Sequence, residues 1–242
     1  MFSQLDQLKA QLDVHRPLPV AIVKNLREDL VLRWTYHSNA IEGNTLTLLE
    51  TKVVLEGVTI GGKSLREHFE AINHRDAILF VEELVQQKEA LSEWQIRQIH
   101  QLVLKNIDDD NAGRYRTINV LISGARHKPP EHVLIPEQMA DFIAQYQTDH
   151  YHPVERAARI HVDFVGIHPF VDGNGRTSRL LMNLELMKNG YPPVVIAVEQ
   201  RIRYYQALDA AQVEGSYQPF IELIAEAVEQ SFSPYFFALG IA

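Results

Sequence analysis

Apolar positions recur along most of the chain at the three- and four-residue steps of an amphipathic helix. Between 94 and 103, Trp94, Ile96, Ile99, Leu102 and Val103 form such a stripe, which predicts a helix packed against a core. Similar patterns predict helices near 20–36, 136–149, 154–166, 175–189, 200–213 and 218–238. Three starts are written locally. Ser64 precedes Glu67, Ser92 precedes Gln95 and Thr47 precedes Glu50, each pair at the spacing of a capping box, in which the two side chains satisfy each other's free amides. Gly57 fits the left-handed position after the short helix that Thr47 opens.

One stretch breaks the helical period. Ile118, Val120 and Ile122 alternate with Asn119, Leu121 and Ser123 before Gly124, and Pro129 and Pro130 follow. This predicts a small exposed β-hairpin between helices, whose edge could pair with another peptide. With no repeat, low-complexity tract or linker-like shift, residues 1–242 read as a single, mainly α domain carrying one β-hairpin.

Composition excludes more than it selects. Apolar residues at 46% and charged residues at 22% are ordinary for a globular chain that buries a core. The longest apolar runs are interrupted by charge, far short of a membrane span, and Met1 to His15 carries Asp6, Lys9 and Asp13 where a signal peptide would be apolar. Cysteine is absent, and the expected location is cytoplasmic. A net charge of 23 minus 31, or -8, disfavours nucleic acid as a partner.

Chemistry concentrates in His168–Arg179. Gly173 and Gly175 flank Asn174 just ahead of a strong helical run, so backbone amides and the positive helix end can converge on an anion. Arg176 and Arg179 share one face of that helix's first turn, and two guanidinium forks suit a polyphosphate. Asp172 supplies one carboxylate, enough with phosphate oxygens and waters to hold Mg²⁺. His168, held out of the helix by Pro169, has the side chain of a general base. Together they propose phosphoryl or nucleotidyl transfer to a hydroxyl. A helix start whose arginines merely form surface ion pairs would not need all of these groups at once.

The stretch fills every fixed position of HxFx(D/E)GNGRxxR, and so resembles the signature of Fic-domain proteins. The resemblance implies a helical Fic-type domain that uses ATP and Mg²⁺ to transfer AMP to a Ser, Thr or Tyr hydroxyl of a protein, with pyrophosphate leaving. His168 would be the base, Phe170 the loop's anchor and Asp172 the Mg²⁺ ligand. Gly173, Asn174, Gly175, Arg176 and Arg179 would meet the phosphates. Gly113 to Arg116, Asn119 to Ile122 and His127 to Pro130 resemble the family's target-docking flap, with Ile118, Asn119, Val120, Leu121 and Ile122 as its docking edge. Tyr204, Tyr205, Leu208 and Gln212 are similar in spacing to side chains that hold ribose and adenine, although relatives often have Asn where Gln212 stands.

Upstream, Ser38, Glu42 and Gly43 match the family's inhibitory pattern (S/T)xxxE(G/N), in a region of about 36–46. The resemblance implies a bidentate ion pair between Glu42 and Arg179 that blocks productive seating of ATP. It equally allows Glu42 to orient a water that removes AMP from a modified target. Other readings stay open: a phosphotransferase or another nucleotidyl transferase of the same fold, or a silent peptide-binding regulator. Self-modification and a homodimer are compatible with the family, and the sequence decides neither. Asp108, Asp110 and Gly113 fail as a calcium loop because Asn119 stands where its closing Glu belongs. His161 reads as a packed or capping histidine. Tyr235, Phe236 and Phe237 read as aromatics of a terminal helix docked in the core.

Overall fold

A computed structural model describes residues 1–88 and 90–241. In chain order its helices are α1 (Phe2–Asp13), α2 (Val20–Ile41), α3 (Leu48–Leu55), α4 (Leu65–Gln87), α5 (Glu93–Leu104), α6 (Ile135–Thr148), α7 (Pro153–Ile167), α8 (Asn174–Lys188), α9 (Arg201–Glu214), α10 (Gln218–Ser231) and α11 (Ser233–Leu239). All three capping boxes form reciprocally, at Thr47, Ser64 and Ser92. Gly57 is left-handed, with φ of 90°, just beyond α3.

α7 and α8 pack side by side at the centre. One core, with Leu5, Leu12, Val162, Leu186, Tyr204 and Phe220, joins them to α1, α9 and α10. The other, with Trp34, Ile78, Ile99, Met139, Phe164 and Leu180, joins them to α2, α4, α5 and α6. α8 is therefore buried on every side from Arg176 to Leu186. Two of its buried polar residues are met from within: Asn183 bonds the backbone of Val194 in both directions at 2.8 Å, and Glu185 accepts from Tyr146 Oη at 2.5 Å. A helix held this way fixes the position of its own N-terminus, where the candidate chemistry lies.

Four local expectations change. α2 continues to Ile41 because Ser38 and Asn39, polar residues that suggest an end, find partners: Asn39 Nδ2 donates to Thr35 O and Glu70 O. α10 and α11 are separate helices, since Pro234 has no amide hydrogen and its ring would strike the carbonyl of Gln230 in a continuous helix. Trp94 is 62% exposed, because a residue two positions from Ile96 lies roughly 200° round the helix. Of the terminal aromatics, Tyr235 and Phe236 pack on the core while Phe237 stands in solvent.

The β-hairpin does not form: no strand occurs among the described residues, and Ile118–His127 is irregular chain with a turn at Gly124. The backbone groups that a ladder would pair are bonded elsewhere: Ile118 O accepts from Arg116 Nη1 and Arg126 N donates to Asp209 Oδ1. The segment is exposed all the same, with Ile118 57% and Leu121 81% accessible.

Leu180→Ala, at the fully buried middle of α8, is expected to cost about 2–5 kcal/mol, read from the urea midpoint.

Candidate active site

The chain leaves α7 at His168, whose φ of 51° and ψ of 57° are left-handed, an unusual setting for a residue with a Cβ. Pro169 disfavours the right-handed alternative. Phe170 is fully buried and stacks on His100 at 3.5 Å between ring centres. The Asn174 side chain clamps the loop by accepting from Phe170 N at 3.0 Å and donating to Phe170 O at 2.9 Å. His100 completes the brace: its Nδ1 accepts from Gly113 N, which leaves Nε2–H to donate to Asp172 O at 2.9 Å. Gly173, with φ of 77°, passes so close that an added Cβ would lie 3.2 Å from His100 Nε2.

Beyond this loop, the amides of Asn174, Gly175 and Arg176 have no intrahelical partner and stand at the positive end of α8. The carboxylate of Glu42 sits against Gly175. An added Cβ on Gly175 would meet Glu42 Oε1 at 2.2 Å, so only glycine admits the carboxylate there. Glu42 Oε1 also accepts from Arg179 Nη2 at 2.7 Å. The pair is not bidentate as expected, because Arg179, 2% exposed, spends its other donors elsewhere. Nε bonds Ser38 Oγ at 3.0 Å, Nη2 bonds Ser38 O at 2.9 Å, and Nη1 bonds Tyr204 Oη at 3.2 Å. Arg176 is equally buried, between Asp172 Oδ1 at 3.3 Å and Glu70 Oε1 at 3.6 Å.

A cavity of about 380 Å³ opens over this end of α8, lined by Glu42, His168, Gly175, Tyr204, Tyr205 and Gln212, and by Ile122 to Ala125 of the flap. Of the docking edge read from sequence, Ile122 reaches this cavity, while Asn119 turns back to receive a bond from His132 N. Tyr205 Oη donates to Ile41 O at 3.2 Å, so the helix expected to hold a nucleoside touches the end of α2. Gln212 Nε2 donates to Val162 O at 3.4 Å.

His168 Nδ1 lies 3.3 Å from Val165 O, so in the neutral ring Nδ1–H donates there and Nε2 is left as the acceptor. Burial above all lowers its pKa to about 4, helped by Arg116 and His127 and opposed by Val165 O and Glu42. Asp172 has the opposite balance: burial would raise it, but Arg176, the Gly173 amide and Arg66 together hold it below the usual carboxylate range. Arg66, His100, Glu70 and His161 were not singled out as site residues by sequence. Each belongs to an ordinary helical stripe, and only packing brings it to the loop. His161 is the packed histidine expected, with Nε2 3.0 Å from both Ser178 Oγ and Tyr204 Oη.

These features define a helical domain presenting a histidine and two buried arginines around the N-terminus of a buried helix. Residues 90–186 match the Fic/DOC family. A Fic domain-containing signaling protein from Bacteroides thetaiotaomicron superposes with a TM-score of 0.91 at 29% identity, covering 98% of this chain and 97% of that one. A fragment of Fic-1 from C. elegans superposes with a TM-score of 0.88 at 34% identity, covering 98% and 71%. Protein adenylyltransferase fic-1 of Caenorhabditis elegans is 40% identical over 229 residues, 93% of this chain and 45% of that protein. Protein adenylyltransferase Fic of Drosophila grimshawi is 38% identical over 222 residues, 90% and 45%. The chain belongs to the Fic/DOC family, and it spans just under half the length of these two relatives.

The buried histidines set an acid limit on the fold. His168 and His100 have native pKa values lowered to about 4, and burial drives His74 and His161 well below the ordinary value. The unfolded chain therefore binds more protons once the pH drops below the unfolded value of about 6.5, so stability is complete above that and falls as pH descends towards 4. At pH 5 each of His168 and His100 should remove about 2 kcal/mol relative to pH 7, visible as a falling urea midpoint.

Proposed function

We propose that the chain transfers AMP from ATP to a side-chain hydroxyl of a protein, with His168 as general base and Glu42 as its brake. The observation that carries this reading is that a neutral His168 and the Glu42-covered end of α8 face one cavity. The relatives named protein adenylyltransferase support the same reaction. The hydroxyl proton passes to His168 Nε2 as its oxygen bonds the α-phosphorus, and the bond from that phosphorus to the β-phosphate oxygen breaks, releasing pyrophosphate. The amides of Asn174, Gly175 and Arg176, with Arg179, suit the developing negative charge. Tyr205 and Gln212 would bound the nucleoside, and Ile122 and its neighbours the target.

Asp172 fits a divalent cation: it is ionised, partly exposed and at the rim of the loop, though Arg66 holds Oδ2 at 2.5 Å and would have to share it. Mg²⁺ bound there would neutralise phosphate charge. Glu42 acts by occupying the Nη2 donor and the helix end that a phosphate would take. Because Glu42 lines the cavity beside His168, it could also orient a water for removal of AMP from a modified target.

The test uses ATP labelled at the α- or γ-phosphate, added to lysate with wild type, Glu42→Gly and Glu42→Gly/His168→Ala. α-Label should rise at least tenfold in the first variant and fall by about 10²–10⁴ when the base is also removed. Transfer of γ-label would instead make the chain a kinase, and no labelling by any variant would leave a peptide-binding regulator.

A further inference from the structure

The flap has no strand ladder, yet its two ends are tightly held: Asn119 Oδ1 accepts from His132 N at 2.8 Å, and one further side chain bonds both ends. Arg116 is 3% exposed. Its Nε donates to His168 O at 2.8 Å, Nη1 to Ile118 O at 2.9 Å and Nη2 to Pro130 O at 2.6 Å. Its amide adds a bond to Pro169 O at 2.9 Å. Among the described residues no carboxylate lies within ion-pair distance of it, so this buried cation is satisfied by backbone dipoles alone. The carbonyls come from three places: the histidine itself, the flap's entry and the flap's exit.

We propose that Arg116 is a positioning residue that locks the flap and the backbone of His168 into one unit, setting where a docked hydroxyl lies relative to the imidazole. The role of that hydroxyl rests on the proposed transfer reaction; the coupling rests on contacts alone. The chemistry explains why arginine is needed. Pro129 and Pro130 have no amide hydrogen to donate across the flap, and the carbonyl of Pro130 is reached instead by a side chain. A planar guanidinium presents its donors in fixed directions and can bridge three carbonyls, whereas an ammonium is a point donor on a flexible stem. Arg116 also places positive charge near His168. The other charged or titratable groups facing that ring are Glu42 from the end of α2, which favours its protonation, and His127 from the flap's exit, which opposes it.

The test compares Arg116→Lys and Arg116→Gln in the full chain. Hydrogen exchange of a peptide covering 117–127 should accelerate about tenfold or more in both, as the flap opens more often. The imidazole titration of His168, followed by NMR, should move upward in the glutamine variant and stay in place in the lysine variant, which keeps the charge. ATP affinity should hold, because Arg116 does not line the nucleotide cavity. In a Glu42→Gly background, α-label transfer to lysate should drop about tenfold in both. Unchanged flap exchange in both variants would overturn the proposal, as would a loss of ATP affinity parallel to the exchange, which marks general unfolding. If Glu42→Gly protein transfers no label at all, the reaction reading fails while exchange and titration still decide the role of Arg116.

Discussion

The site depends on one buried cation. Arg179 lies in the middle of the protein, where an unpaired guanidinium would be costly, and its needs draw three helices together. Ser38 of α2 supplies a hydroxyl and a carbonyl, Tyr204 of α9 a phenol, and Glu42 at the end of α2 a single carboxylate oxygen. Three of these four contacts are neutral and need not move when the fourth changes. Glu42, about one-third exposed, is the replaceable member. The same clasp that completes the packing of α2 on α8 therefore places its single charged contact at the start of α8.

Rigidity around that contact comes from several buried polar groups that bind one another closely. His100 is held as a single neutral tautomer between Gly113 and Asp172, Asn174 clamps Phe170 from both sides, and Arg116 ties His168 to both ends of the flap. Burial keeps the imidazoles neutral, and a neutral imidazole is what a base must be before it acts. The acid sensitivity of the fold and the neutral state of the His168 ring thus share a cause. Both follow from removing histidine rings from water.

Local sequence carried much of the architecture because local contacts decide it. A serine or threonine and a glutamate or glutamine three residues apart satisfy each other wherever the helix later packs, so the starts after Thr47, Ser64 and Ser92 needed no knowledge of the rest of the chain. The loop from His168 to Arg179 was legible for a similar reason, since proline and glycine restrict the backbone and the charged groups lie within one helical turn of it. The failures occurred where a distant partner overrides local preference. The helical pattern of α2 stops near 36, yet the helix runs on to Ile41 where Asn39 meets Glu70 O, and Trp94 looks like core until the rest of α5 fixes which face is inward.

Sequence by itself determined the helical class, the helix starts after Thr47, Ser64 and Ser92 and the chemical groups at the start of α8, together with the resemblance that links Glu42 to Arg179. Only the tertiary structure decided that the pair is made through one oxygen, that the flap is irregular chain cross-linked by Arg116, and that His100 and Arg66 support Asp172. The division has a physical origin. Backbone preferences and first-turn amides act over a few residues and can be read in order along the chain. The partners of a buried cation or carboxylate come from segments far apart in sequence, and which donor meets which acceptor is settled only when the helices pack.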